Sequence, residues 1–394
     1  MEIRTLAATS VDGRAINQET ITDFSGKMAG VCYMKDSLDD LMHEPAERTL
    51  KRAQNALERF HHSVFGHESV TLYLESIPKI LAMVLNNEKC YNTSEKSARY
   101  TVMKTSGKEE ELYFKWREIF TKEISAKYPD MDIKMVEKYA LENARYLISV
   151  FTPSTNMVYT TSVQQLNYIV GWMNDFIVSR KSTPGADGMD FDQKLADVFL
   201  EFVNKIDQNI IIPGLTDPKG RELSLFGKRK RDEEWGENYC YSYYGSFAQL
   251  AQAQRHRTLC YEFMFPHFDG SDLFDKPAFY IPEIIRDERY ETEWLDDAKK
   301  LTENYPQGTM VRINERGTCE NFILKCSEKL CGQAQLEICQ QTTSTLVQYY
   351  WGTKSEAVRN YLESYVSIPR CLSFDMPCKK PCYFGPDQIF NRLV

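Results

Sequence analysis

The sequence predicts an α+β protein built as two related halves. Three observations carry this: two strand-like runs, each followed by helix-like segments; the same order of elements on both sides of a turn-rich break; and a length of 394 residues, which suits two domains of roughly 150–200 residues each. Early in the chain, Leu50, Ala53, Leu57 and Phe60 recur at helical spacing behind Pro45, a residue suited to a helix start. Val70, Leu72 and Leu74 then alternate with Thr71, Tyr73 and Glu75, the period of a strand. Helical periodicity marks 110–127, 134–151, 162–180 and 191–206. Turn residues interrupt it from Lys181 to Gly188 and again from Pro213-Gly214 to Pro218-Lys219-Gly220. The boundary falls near 210–225, giving an N-terminal half, 1–212, and a C-terminal half, 213–394. Beyond it the order repeats. A Tyr-rich strand, Tyr239 to Tyr244, precedes a helix from Phe247 to about Arg257, and helical stretches follow at 292–304, 314–350 and 354–366. Phe65-Gly66 before the first strand is echoed by Trp235-Gly236 before the second. So long a period indicates fused domains, not short solenoid repeats.

Composition sets limits on function. A net charge of −8 opposes non-specific attraction to nucleic acid or acidic membranes, although a local basic site could hold one phosphate. No apolar run reaches the roughly 20 residues of a membrane span, and Met1-Glu2-Ile3-Arg4 does not open as a signal peptide does. Eleven scattered cysteines, an odd number, favour reduced thiols and a cytoplasmic protein. Cys371, Cys378 and Cys382 lack a CxxC pair, so no metal site is expected. Lys228-Arg229-Lys230-Arg231 reads as a solvated interdomain loop, with a phosphate or nuclear-import patch as the alternative.

The sharpest local signal is Gln252-Ala253-Gln254-Arg255-His256-Arg257, which follows the uncharged run Gly245 to Ala251. Two guanidiniums and an imidazole within one turn repel each other, and an anionic ligand relieves that repulsion; guanidinium forks suit phosphates and carbonyl oxygens. In isolation the triplet is also a basic surface turn. Elsewhere, Asn87 to Tyr100 reads N-E-K-C-Y-N-T-S-E-K-S-A-R-Y, and Arg255 to Phe268 reads R-H-R-T-L-C-Y-E-F-M-F-P-H-F.

Together these two stretches resemble the R-H-R-x-x-S-x-N-E-x-S-x-R-Y motif of the flavin-dependent thymidylate synthases. The first half keeps its end and the second its beginning. His61 to His67 resembles the family's His-x-Ser/Thr-x-Phe-Glu-His, with Gly66 in place of Glu. Ala29 to Tyr33 resembles A-R-V-S-F, with Cys32 for serine, and Ala144-Arg145 resembles the Ala-Arg pair before the last long helix. Asn314-Glu315-Arg316 matches the N-x-R that begins that helix, and Lys329 to Ile338 matches R-x-C-x-x-A-Q-x-E-I. The resemblance touches most of 25–180 and 235–340.

It implies two tandem thymidylate synthase complementing protein-like domains, each a mixed or antiparallel sheet with long helices. In this family the active site lies between subunits of a tetramer, one giving the Arg-His-Arg helix and another the Glu-x-Ser-x-Arg-Tyr loop. A fused chain would then form a homodimer acting as a pseudo-tetramer. The implied reaction is C5 methylation of a pyrimidine deoxynucleotide, most simply dUMP to dTMP. FAD would be the cofactor, with NADPH and methylene-tetrahydrofolate as co-substrates. UMP, a hypermodified base precursor, or binding without turnover remain as alternatives. The resemblance places Arg99 and Arg145 on the nucleotide phosphate and Glu95, Ser97 and Tyr100 at sugar and loop, with Ser97 near the pyrimidine. Gln252 and Arg255 would reach the nucleotide, and His61, Ser63, His256, Arg257, Asn314 and Arg316 would hold FAD. Lys329 would stand where the family uses arginine to stabilise charge on the uracil ring, and the catalytic set would be Ser97, Arg255 and Lys329. Lysine there exchanges a planar fork for a point charge. Cys260 replaces the motif's first serine and is expected to be a small buried residue. Arg316 and Lys329 stand about one helical turn further apart than in the family, a spacing that keeps the helix face. His62, His67 and His267 have no partner identifiable from sequence.

Overall fold

The computed structural model describes residues 1–9, 13–33, 37–182, 190–227, 229–266, 273–274, 276–373, 378 and 382–394. Lys228, His267, the Lys379-Lys380-Pro381 run and the Thr183 to Gly188 part of the break lie outside them. The chain divides into two compact units: Met1–Lys96 with Pro153–Leu223, and Ser97–Thr152 with Ser224–Val394. Both mix helices with an antiparallel sheet. Division by compactness therefore differs from the linear division at 212/213, because residues 97–152 belong with the C-terminal part of the chain.

In the first unit, β1 (Glu2–Ala8), β2 (Ser69–Ile77), β3 (Asn92–Glu95) and β4 (Thr155–Ser162) form an antiparallel sheet in the order β1-β2-β4-β3. The alternation expected at 70–75 is present, with Val70, Leu72 and Leu74 buried. The helix behind Pro45 spans Ala46–Glu58, but its buried face carries Thr49, Ala53 and Ala56. Phe60 is 66% exposed, with a φ of 59° just beyond the helix. The face is rotated from the expected one because the Gln18–Gly30 helix crosses very close to it. A Cβ on Gly26 would fall 1.9 Å from the Thr49 carbonyl oxygen, so only small residues fit the crossing. Helices Val163–Ser182 and Phe191–Lys205 follow β4, close to the ranges read from periodicity.

The second unit repeats the strand order. β5 (Glu234–Trp235), β6 (Asn238–Ser246), β7 (Cys260–Met264) and β8 (Met310–Thr318) lie antiparallel as β5-β6-β8-β7. The short helix Phe247–Ala253 follows β6 just as Lys79–Leu85 follows β2. The helix expected over 314–350 is corrected by β8. Its residues bond to β6 on one side and β7 on the other, so Asn314, Glu315 and Arg316 are strand residues. The helices Cys319–Lys329 and Leu336–Gly352 begin only afterwards. The expected helix at 134–151 also ends early, at Ala144, and Ile148 is already extended.

Aromatic packing explains why residues 97–152 join this unit. Trp116, on the Gly107–Lys127 helix, meets Trp294 of the Glu291–Lys299 helix edge to face at 4.9 Å, and its indole nitrogen donates to Asp297 Oδ2 at 2.9 Å. Both rings are buried. Further on, the amides of Gln307 and Gly308 donate to the carbonyls of Ile148 and Tyr146 at 2.8 and 2.7 Å. A side chain at Gly308 would crowd Tyr146 at 3.1 Å. Trp116→Ala is expected to cost this unit about 3–5 kcal/mol, read by urea unfolding with near-ultraviolet circular dichroism. A loss below about 1 kcal/mol, the level of an exposed site, would contradict the packing account.

Candidate functional site

A buried cluster of cations gathers in the second unit around one carboxylate. Lys138, Glu142 and Arg145 come from the end of the Ile133–Ala144 helix and the turn after it, at i, i+4 and i+7, so they share a face. Arg99 Nε donates to Glu142, and Arg99 Nη2 donates to the Gln333 carbonyl at 2.8 Å. Burial opposes the charge on Glu142, yet Arg99, Arg145 and Lys138 together hold its carboxyl below the usual carboxylate range. Arg145 Nη2 donates to the Gln335 side chain, while its buried Nε has no hydrogen-bond partner. Lys138 Nζ reaches Gln333 Oε1 at 3.3 Å. Tyr100 is exposed, and its ring lies 5.8 Å from the Arg99 guanidinium and 5.6 Å from Lys138 Nζ. Ser97 Oγ accepts the Arg99 amide at 3.3 Å, so it shapes the loop.

Lys329 ends the Cys319–Lys329 helix and is nearly buried. Burial, reinforced by the charges of Arg99, Lys325 and Arg255, pushes its ammonium down to about 8, with Glu328 pulling the other way at 3.9 Å. Those couplings bring Arg99, from the first half of the sequence, into one electrostatic neighbourhood with Arg255 and Lys329 from the second. The Arg392 guanidinium orders the loop between, donating to the carbonyls of Cys331 and Ala334 at 3.2 and 2.7 Å. Sequence reasoning missed Lys138, Glu142 and Arg392. The helical spacing of 138, 142 and 145 was the available signal for the first two; nothing in the sequence marks Arg392.

Arg255-His256-Arg257 sits just past the Phe247–Ala253 helix, in the turn before β7, not inside a helix. Arg255 and Arg257 are exposed and Gln252 is half-buried. His256 is buried, and desolvation with the nearby charges of Lys329 and Lys325 pushes its imidazole down to about 2. It is therefore neutral, and its 3.7 Å approach to Glu328 is not an ion pair. Lys325 and Glu315 form a fully buried ion pair at 2.6 Å, and the hydroxyls of Tyr239 and Tyr243 also donate to Glu315. On the opposite face of β8, Asn314 Nδ2 donates to Cys240 Sγ and Ser242 Oγ, and Arg316 Nη2 donates to Glu262 Oε1 at 2.9 Å. Cys260 is exposed, not the buried small residue expected: it opens β7, and burial begins only with the next three residues of the strand.

Three expected site residues belong to the first unit. Glu95 ends β3, where Lys79 Nζ and Asn86 Nδ2 donate to it at 2.5 and 3.3 Å. His61 and Ser63 are exposed in the turn before β2. Their neighbour His62 is structural, bonded to the Tyr168 hydroxyl and the Leu57 carbonyl. Among the described residues, no group of three or more His, Cys, Asp or Glu is placed to hold a metal ion. Also among them, no helix is long and apolar enough to cross a membrane.

Residues 21–174 match the family model described as thymidylate synthase complementing protein. Over this segment, less than half of the chain, the sequence is similar to that family. The match includes Arg99, Glu142 and Arg145; the likeness of 235–340 to the thymidylate synthase complementing proteins rests on its motifs. No curated protein matches significantly. Partly similar solved structures include the flavin-dependent thymidylate synthase ThyX from Helicobacter pylori, complexed with FAD and dUMP. It is 12% identical with a TM-score of 0.31, over 55% of this chain and 100% of that one. Another is the UMP/dUMP methylase PolB from Streptomyces cacaoi, bound with 5-Br dUMP, at 13% identity and a TM-score of 0.34, over 54% and 92%. Likeness at this level fixes neither ligand nor reaction.

Lys138, like Lys329, is pushed down to about 8, by burial and the Arg99 charge. Both are charged below that pH, where the folded chain bears the full cost of burying them. Between about 8 and the ordinary 10.5 the folded chain has released protons that the unfolded chain still holds, so these two lysines make stability rise with pH across that window. Lysine-selective nuclear magnetic resonance is expected to show two ammonium groups titrating near pH 8, one of which disappears in Lys329→Arg. Titration of every lysine near 10.5 would contradict the burial argument.

Proposed function

We propose that the chain binds a pyrimidine nucleotide through its phosphate and, with FAD, methylates the C5 position. The simplest case is dUMP to dTMP, with methylene-tetrahydrofolate as carbon donor and NADPH as reductant. The supporting observation is the membership of Arg99, Arg145, Arg255 and Lys329 in one compact unit, with Lys329 electrostatically coupled to Arg99 and Arg255. The guanidiniums of Arg99 and Arg145 and the Lys329 ammonium, held largely out of water, favour a phosphate dianion far more than they would at an exposed surface, with exposed Arg255 coupled to Lys329. In this reading Arg99 and Arg145 hold the phosphate, and Ser97, Tyr100, Gln252 and Arg255 border the nucleoside. Glu95 anchors the loop by its bond to Lys79, and Lys329 stabilises negative charge on the pyrimidine, a preorganised electrostatic task. We read the shared strand order of the two sheets as the trace of a tandem duplication.

Asn314 and Arg316 fit a role in holding FAD, because Asn314 Oδ1 and Arg316 Nε are buried without a hydrogen-bond partner. Arg257 adds exposed charge nearby in sequence, and His256 offers a neutral imidazole. When bound, FAD would supply hydride equivalents; the protein orients the nucleotide and excludes water. His61 and Ser63 complete the set in the family's manner, in a homodimer that serves as a pseudo-tetramer.

Two other readings have specific support. Lysine at 329 in place of arginine suits a different pyrimidine nucleotide, such as UMP or a hypermodified base precursor. The bond of Arg99 to Glu142 keeps the clamp in shape without substrate, which suits a non-catalytic nucleotide- or flavin-binding protein. Tritium release separates the three. Release from [5-³H]dUMP in the presence of FAD, methylene-tetrahydrofolate and NADPH is the expected result. Release only from labelled UMP would favour the second reading, and tight nucleotide binding with no release the third. A colourless protein that takes up no FAD would remove the cofactor assignment. A fully active monomer would remove the homodimer.

A further inference from the structure

The Arg229–Arg231 segment, read from sequence as a solvated loop, lines a cleft of about 550 Å³ in the second unit, a size ordinary for small-molecule sites. Its floor is a row of three neighbouring strands. Cys240 on β6 and Cys260 on β7 both stand opposite Arg316 on β8, so all three share a face. Arg231 Nε and Nη2 donate to the Glu262 carboxylate at 3.0 and 2.7 Å, and Arg316 Nη2 donates to the same carboxylate. One carboxylate thus serves two guanidiniums. Among the described lining residues are four cations, Arg229, Lys230, Arg231 and Arg316, against the carboxylates of Asp232 and Glu234. Arg229 and Lys230 are exposed. Thr318 and Asn321, in the same wall, open the 11-residue Cys319–Lys329 helix, so the positive end of its dipole adds to the field. The buried Arg316 Nε without a partner marks hydrogen-bonding capacity unused inside the chain.

We propose that this cleft takes the diphosphate of a dinucleotide, with Arg229 and Lys230 as phosphate contacts supplied by the segment before β5. A planar guanidinium pair fixed by Glu262 matches phosphate oxygens, and the more exposed Arg229 and Lys230 add long-range attraction. The inference deepens the flavin reading given above, because Arg316 belongs to both. It adds residues that the Arg-His-Arg and N-x-R motifs do not include.

The test titrates the full chain with FAD, NADPH and inorganic pyrophosphate at several salt concentrations, then repeats this with the double variant Arg229→Ala/Lys230→Ala. Both positions are exposed, and near-ultraviolet circular dichroism checks that the variant folds as the parent chain does. The expected result is binding of at least one dinucleotide, weakened about tenfold or more in the double variant, with a shallower salt dependence. The Arg229→Lys/Lys230→Arg variant should recover most of the affinity. FAD binding with no dinucleotide, neither FAD nor NADPH, weakened in the alanine variant would overturn the cleft and leave the flavin reading standing. NADPH or pyrophosphate binding that depends on Arg229 and Lys230, with no uptake of FAD, would support the cleft and overturn the flavin reading. Binding of none of the three would overturn both.

Discussion

The buried Glu142 carboxylate holds Arg99, Arg145 and Lys138 around itself, and the candidate site depends on that one arrangement. Glu142 is the carboxylate shared by the three cations, with Glu337 also acting on Arg145, and Lys329, beside Glu328, adds a fourth cation to the neighbourhood. Burying charge is costly unless it is paired, so an excess of this kind persists only where something else repays it. The lysines meet part of the cost by giving up their protons at about pH 8. An incoming phosphate dianion would meet the rest. Burial first, and then the charges of Lys329 and Lys325, keep His256 neutral beside them.

The contacts that position the cluster are made elsewhere in the unit. Trp116 and Trp294 tie the Gly107–Lys127 helix to Glu291–Lys299, which carries residues 97–152 into the second unit. Arg392, almost at the chain's end, uses carbonyls of the 331–334 loop to present Gln333 and Gln335, the partners of Arg99, Lys138 and Arg145. The C-terminal stretch lies outside every motif, yet it supports the site through these bonds. Glu315, locked between Lys325 and two tyrosines, fixes one face of β8, and alternation along the strand then turns Asn314 and Arg316 toward the other.

Much of this was legible in the sequence, and the misses have physical causes. Strong alternation at Val70, Leu72 and Leu74 and the Tyr-rich run at 239–244 marked strands correctly, because the buried partners of a strand are two residues apart. The run at 314–318 reads as helix because its polar residues alternate in a way that hides a strand paired on both sides. The buried face of the Ala46–Glu58 helix differs from the expected one because small residues, not the large apolar ones, make the close crossing at Gly26. Motif remnants named Arg99, Arg145, Arg255 and Lys329. Compactness was the part that sequence order could not reveal: residues 97–152 precede the boundary and pack beyond it.

The central claim, that these cations form a phosphate site, is tested most directly by the protons that binding moves. Calorimetric titration of dUMP near pH 8, in two buffers of different ionisation enthalpy, measures them. If the phosphate enters beside Lys138 and Lys329, the half-deprotonated ammoniums regain charge, and dUMP binding takes up protons while deoxyuridine binding does not. Binding of dUMP without proton uptake, or equal behaviour of dUMP and deoxyuridine, would contradict the account.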